Sequence, residues 1–364
     1  MKNIIFHHPL PLNYQAKSAS GIRPVKMLEA FQKCGLNVIP ITGYGKERKA
    51  AIKKVKRQVK NGVKFDFVYS ESSTQPTLLT EKNHLPLYPF LDFNFFNFCK
   101  KNDIKIGLFY RDIHWVFPFY DKRVSLWKST IAKFFYKYDI KQYRKYLSVL
   151  YLPSTPMSSY IPDFSGVITK ELPPAHSLSE KSHKDETSHF PEKKLNLLYV
   201  GGLGEIYQMQ EIVPLINQNE RISFTLCTRK EEWEKNKSHY KETKSIRVIH
   251  KSGTELEQEY QTADIAMLFV KPGEYWKFAI PVKLFEYIGY QLPIICSDEL
   301  FIADFIKSNN IGWTIPYSSD AIIQLTKEII DNPESYQEKK RNITKISSNH
   351  TWEARAKQVI NDLS

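Results

Sequence analysis

KPGEYWKFAIPVKLFEYIGYQLPIIC, residues 271–296, reads as a turn, a short helix and a strand. Pro281 suits the first turn of a helix, where its missing N–H costs nothing and its fixed φ is already helical. Val282–Tyr290 carries apolar residues at helical spacing, and Gly289 with Pro293 stops the helix before the β-branched run Ile294–Cys296. A helix lying between two such runs is the crossover unit of a parallel sheet. Its N-terminus then faces the carboxyl edge of the strands, where the helix dipole and free N–H groups favour an anion. Lys283 adds a full positive charge in that first turn. Glu286 lies one turn further along the same face, where a carboxylate can accept both hydroxyls of a ribose. Taken alone, the two residues read more readily as a solvated i, i+3 ion pair.

The same alternation runs outward along the chain. Leu195–Val200, Ser223–Cys227, Arg247–His250, Ile265–Phe269 and Pro293–Cys296 are apolar runs separated by helical segments. An earlier series comprises Asn3–Phe6, Asn37–Ile41, Phe65–Tyr69, Ile104–Tyr110 and Ser148–Leu152, and within it Pro24–Cys34 has helical spacing with Gly35 at the C-cap position. Residues 171–193 are polar and poor in large apolar side chains, as in an exposed linker. The division predicted is a first domain over 1–170, a linker over 171–193, a second domain over 194–346 and a terminal helix over 347–364. That helix starts near Thr351 with Trp352 as its apolar anchor, and packing back on the first domain is open to it. The fold class expected is α/β, with two doubly wound Rossmann-like domains facing a central cleft framed by the carboxyl ends of their strands.

Length, at 364 residues, fits two domains of ordinary size. Cys34, Cys99, Cys227 and Cys296 stand far apart without C-x-x-C or C-x-x-H spacing, which argues against a zinc site or a disulfide framework and fits a reducing cytoplasm. The N-terminus lacks a long apolar run and nowhere do 18 apolar residues run together, so neither a signal peptide nor a membrane span is expected. Lys and Arg number 52 against 39 Asp and Glu, a balance that favours phosphate-bearing ligands, nucleic acid or an anionic leaflet.

PVKLFEYIGYQLPII, residues 281–295, resembles the donor-site signature of GT-B glycosyltransferases of family four, the bacterial surface-polysaccharide type, in which a P-x-K-x-x-E-Y helix precedes G-x-P and a strand. The resemblance implies that Pro281, Lys283 and Glu286 contact a nucleotide-sugar donor, Glu286 as the ribose-binding acid and Lys283 as a neighbour of the diphosphate. Relatives usually carry a further acid that completes E-x7-E; Phe278 stands there, so the resemblance passes that role to Glu274 or to backbone amides. The glycines of LYVGGLGEIYQ, Gly201, Gly202 and Gly204, let backbone amides approach a diphosphate, although a plain tight turn would use them equally. Relatives usually place Arg and Lys just after these glycines. Neither appears here, which leaves Arg229, Lys277 and Lys283 to supply the charge. Arg229 follows a strand directly, yet within RKEEWEK it reads as readily as a surface residue.

In the first half, the strand ending at Tyr110 empties into Arg111, Asp112, His114 and Trp115. Polar residues directly after a buried strand are a common place for catalytic groups. The family often has His-Asp at this point, so Arg111 and Asp112 are catalytic candidates, with His114 placed to turn back as the missing histidine; a lone His is more often structural. The loop Asn13–Arg23 holds Ser20, Gly21 and Arg23, and the resemblance makes Gly21 part of a loop that closes over the donor phosphates. His7 and His8 end the first strand with no acid at metal-ligand spacing and read as cleft lining.

Lys122–Tyr146 interleaves Trp127, Phe134, Phe135, Tyr136, Tyr138 and Tyr143 with Lys and Arg. As a helix this composition suits the surface of an anionic bilayer, and it equally suits an amphipathic helix packed on the sheet. No nucleic-acid-binding module is recognisable.

The reading is a retaining, nucleotide-sugar-dependent hexosyltransferase acting on a lipid-linked or glycan acceptor in surface polysaccharide assembly. It needs no cofactor or metal, and it is cytoplasmic, with a peripheral place on the inner face of the cell membrane. Two alternatives stay open: a nucleotide-sugar epimerase of the same fold, and a catalytically silent GT-B partner subunit, which would account for Phe278 and the missing Arg-Lys pair.

Overall fold

The computed structural model describes residues 2–16, 18–161, 164–177, 194–240 and 246–364. Most of the linker expected over 171–193 lies outside the described residues. The chain forms two compact units, Met1–Pro174 with Trp352–Ser364, and Ala175–Thr351.

In the first unit the order is β1 (Asn3–His7), α1 (Ala19–Lys33), β2 (Asn37–Ile41), α2 (Gly45–Lys60), β3 (Phe67–Glu71), α3 (Leu91–Lys101), β4 (Lys105–Phe109), α4 (Pro118–Arg123), α5 (Leu126–Tyr146), β5 (Val149–Leu152) and β6 (Ile168–Glu171). The strands make one parallel sheet in the order β2-β1-β3-β4-β5-β6. Ile4, Ile5, Phe6, Phe67, Val68, Ile106, Leu108 and Leu150 form its buried centre. Such near-continuous apolar strands are what helices on both faces demand.

Three expectations for this unit are corrected. Residue 171, assigned to the linker, ends β6, an edge strand whose ITKE sequence and exposed side chains give no apolar signal. β3 runs on to Glu71 because Arg23 and Arg111 pair with that buried acid, so the strand does not stop where the apolar run stops. Helix α1 begins at Ala19 rather than Pro24, which sits in its second turn. There proline forgoes one helical bond, the one an N–H at this position would make to the carbonyl of Ser20.

The second unit runs β7 (Leu195–Val200), α6 (Val213–Gln218), β8 (Ile222–Cys227), α7 (Lys230–Asn236), β9 (Ile246–Ile249), α8 (Glu257–Thr262), β10 (Ile265–Leu268), α9 (Val282–Gly289), β11 (Ile294–Ser297), α10 (Phe301–Ser308), β12 (Gly312–Ile315), α11 (Ser319–Asp331) and α12 (Pro333–Ser347). Its parallel sheet has the order β12-β11-β10-β7-β8-β9. The chain winds outward from β7 through β8 to β9, then returns to β10 and winds the other way. The carboxyl ends of β7 and β10 therefore mark the point where the winding reverses, the usual ligand position in an open α/β sheet.

The terminal helix α13 (Trp352–Leu363) belongs to the first unit, where it packs on α1 and β4. Trp352, Ala356, Val359 and Leu363 are buried at the i, i+4, i+7 spacing of a helix face. Tyr151 donates its hydroxyl to Asp362 at 3.1 Å, and Arg355 donates to the carbonyl of Pro173 at 3.1 Å. Burying Trp352 and three aliphatic side chains contributes on the order of 1.5–3 kcal/mol for each large one, enough to hold the last residues of the chain on the first sheet.

Candidate functional site

The reversal point of the second sheet carries the glycine turn. Gly201 follows β7 and donates its N–H to Cys227 O at 2.9 Å, which ties the start of the turn to the end of β8. Gly204 has φ +130°, a conformation that side-chain-bearing residues seldom adopt. At Gly201 the constraint is close approach: an added Cβ would collide with the ammonium of Lys283.

Helix α9 delivers that ammonium. Pro281 is its N-cap, one position earlier than the first-turn place expected, and Lys283 follows in the first turn. Lys283 is buried, donates to the Tyr199 hydroxyl at 2.8 Å, and lies 4.0 Å and 4.7 Å from the ring centroids of Tyr199 and Tyr207. Tyr199 donates in turn to Gly202 O at 2.7 Å. Burial pulls the Lys283 ammonium down to about 7, against the pull of Glu286 and Glu232, which favour its charged form. The protein thus holds beside a glycine turn a cation that loses its proton near neutrality unless an anion joins it.

Glu286 is half-buried on the same helix, and its Oε2 accepts the Tyr260 hydroxyl at 3.0 Å. Burial pushes its carboxyl up, while the Tyr260 bond and Lys283 pull it down. Tyr260 is fixed by stacking on Tyr290, with ring centroids 4.3 Å apart and planes 13° from parallel. The carboxylate is therefore oriented before any ligand arrives.

Arg229, the N-cap of α7, is exposed, and its Nη1 pairs with Glu232 Oε1 at 2.9 Å. The other Glu232 oxygen accepts the N–H of Leu203, inside the glycine turn, at 2.9 Å. Gly202, Gly204, Arg229, Lys283 and Glu286 are thus linked through one neighbourhood. Glu232, Tyr199, Tyr207 and Tyr260 are the members that sequence reasoning missed. Only the tyrosine beside the glycine pair offered a signal.

Other expected residues sit differently. Glu274 and Lys277 pair with each other at 2.7 Å on an exposed turn. Phe278 is buried and meets the Tyr275 ring edge-on at 5.2 Å, so the position of the absent acid is part of the core.

In the first unit, Gly21 and Arg23 lie within α1 instead of a loop before it. Gly21 is required for contact, since an added Cβ would strike the Ala16 side chain at 2.5 Å. Arg23 is buried, its guanidinium 3.5 Å from the Phe109 ring centroid and its Nε donating to Glu71 at 3.1 Å. Arg111 donates to the other Glu71 oxygen at 3.0 Å, and burial lowers its pKa. Both arginines thereby serve the buried Glu71 carboxylate.

Asp112 accepts the N–H groups of Ile113 at 2.7 Å and His114 at 3.1 Å, shaping the turn after β4. His114 Nδ1 lies 3.5 Å from Asp112, and its ring meets those of Tyr120 and Tyr136 edge-on. His7 and His8 are core residues rather than cleft lining. His7 bridges Ser70 at 2.8 Å and Asp92 at 2.9 Å, and burial drives His8 down to about 3, leaving it neutral. Among the described residues, no three His, Cys, Asp or Glu side chains gather to hold a metal.

The sequence profile of the family described as Glucosyltransferase 3-like, C-terminal domain, matches residues 217–363. No curated protein matches the chain. Among solved structures, HepE of Anabaena in complex with UDP-glucose is similar over 100% of this chain and 99% of its own, at 10% identity and TM-score 0.64. A sucrose-phosphate synthase from Thermosynechococcus elongatus is similar over 99% of this chain and 98% of its own, at 12% identity and TM-score 0.64. WaaG, described as a glycosyltransferase involved in lipopolysaccharide biosynthesis, is similar over 99% of both chains, at 11% identity and TM-score 0.59. The fold is that of the GT-B glycosyltransferases, two units each built on a six-stranded parallel sheet.

Proposed function

We propose that the protein is a nucleotide-sugar-dependent glycosyltransferase whose second unit grips the donor. The observation that carries this reading is the seat of Lys283, buried against Gly201 at the reversal point of the sheet, with Glu286 one helical turn beyond. The turn's N–H groups and the ammonium suit a diphosphate, and an oriented carboxylate one turn away suits a ribose. Lys283, Arg229 and the α9 dipole are the groups that would stabilise the leaving diphosphate, so the reaction is proposed to run without a metal, with retention at the transferred hexose. Membership of glycosyltransferase family four is part of the same proposal and rests on the 281–295 signature.

The acceptor is assigned to the first unit, as a glycan or lipid-linked sugar of surface polysaccharide assembly. Helix α5 supports a peripheral place on an anionic membrane. Leu126 and Trp127 are 78% and 64% exposed, Ile131 and Phe134 44% and 66%, and Lys137, Lys141 and Lys145 follow on the exposed part of the helix. The aromatic stripe is nonetheless divided, because Tyr136 and Tyr143 are buried in the unit. No helix among the described residues is long and apolar enough to cross a membrane.

The buried Phe278 favours a second reading, a silent GT-B partner subunit that binds the donor without turnover. Incubation with UDP-glucose and with GDP-linked hexoses, read as release of nucleoside diphosphate, separates the two. Release by wild type and not by Glu286→Ala is expected, and activity is expected to survive a chelator. Binding without release under any acceptor condition supports the silent subunit. No binding of either nucleotide overturns both readings.

A further inference from the structure

We propose that Glu232 is an internal stand-in for the donor's diphosphate: its carboxylate occupies the anion position of the glycine turn in the empty protein and is displaced when a nucleoside diphosphate enters. This rests on the reading of the turn as the diphosphate site, and it adds a competitor built into the site.

The Glu232 carboxylate lies against the turn, since a Cβ at Gly202 would meet its Oε2 at 3.3 Å. That oxygen accepts the N–H of Leu203 at 2.9 Å and the hydroxyl of Thr228 at 3.4 Å, while the other accepts Arg229 at 2.9 Å. Lys283 lies against the neighbouring Gly201, near enough for Glu232 to favour its charged form. A backbone N–H, a hydroxyl, a guanidinium and an ammonium are the set that a phosphate group recruits. Here the anion that three of them meet is the protein's own.

Glu232 is also placed to leave. Its side chain is 26% exposed and springs from the first turn of a surface helix, so rotation about its side-chain bonds carries the carboxylate into water, where its solvation is recovered. Thr228, by contrast, is buried at the end of β8 and stays with the turn. Displacement therefore exchanges one anion for another on the same donors.

The sign of a charge-removing substitution separates competitor from brace. For a competitor, Glu232→Gln and Glu232→Ala tighten binding of UDP, by roughly three- to tenfold for one charge a few ångströms from a diphosphate at surface screening. Affinity for uridine, which has no phosphate to compete, stays level. Calorimetric titration of UDP and uridine into wild type and both variants at about pH 5.5, where Lys283 stays largely charged without Glu232, with thermal unfolding as a check of folding, reads this directly. Unchanged or weaker UDP binding in folded variants overturns the proposal. Should neither variant fold, wild-type crystals soaked with UDP decide: the Glu232 carboxylate is expected to have left Leu203 N, and its retention there beside bound UDP overturns the idea. Failure of wild type to bind either UDP or GDP instead removes the donor-site reading itself.

Discussion

Lys283 makes nucleotide binding depend on pH in a way that can be worked out. In the empty site its pKa is about 7, depressed by burial and held from falling further by Glu286 and Glu232, with the Tyr199 and Tyr207 rings as its other close neighbours. A bound diphosphate brings at least two negative charges to that ammonium and raises its pKa, so above neutrality binding must take up a proton. With a free-state pKa near 7, roughly half the molecules are charged at pH 7 and about one in thirty at pH 8.5, so UDP affinity falls on the order of fifteenfold across that interval, about 1.6 kcal/mol. Over the same interval the terminal phosphate of UDP, whose last pKa is about 6, is already largely ionised and changes little. The proton uptake is measurable by calorimetry in two buffers of different ionisation enthalpy, and about 0.9 proton per UDP is expected at pH 8. Lys283→Met, close in size and uncharged, is expected to bind UDP more weakly and to show neither the pH slope nor the uptake. A wild type that binds UDP with no proton uptake at pH 8 would refute the placement of this lysine beside the diphosphate.

Replacing Glu286 with Ala removes an oriented carboxylate and should weaken nucleotide binding by about 1.5–3 kcal/mol; titration with UDP and with the diphosphate alone checks it, because only the former should lose affinity. Tyr260→Phe, which takes away the bond that orients Glu286, should cost roughly a third to a half as much by the same titration. On the first unit, Lys137, Lys141 and Lys145 changed together to Glu should release the protein from anionic vesicles at low salt while leaving donor hydrolysis intact, each cation near the surface contributing about 1 kcal/mol. Persistent sedimentation of that triple variant with such vesicles would assign the exposed part of α5 to another role. Lys133 is left out of the set because Asp121 already holds it at 2.7 Å.

Much of this was legible before any coordinates, and the boundary of legibility is physical. Of the four outer strands, β2 and β9 were read from their β-branched runs, whereas the two strands missed, Ile168–Glu171 and Gly312–Ile315, are also outer strands, where one side needs no partner and the apolar run shortens. Lys283 and Glu286 were readable because a helix fixes the spacing of its own residues. The partners that set their chemistry were not, because Tyr199, Glu232 and Tyr260 come from three other elements, and only the sheet order β10-β7-β8 brings those elements together. In the first unit, too, the partner comes from another element. Arg111 was read as a site residue from a polar run after a strand and Arg23 from the glycine-containing loop; Glu71 at the end of β3 supplies the carboxylate that makes the burial of both tolerable. A charged residue following a strand is therefore an ambiguous sign. What separates a site from a buried brace is whether its counter-charge is already present, as Glu71 is for the two arginines, or is still to come, as Lys283, half neutral at pH 7, implies for its own seat.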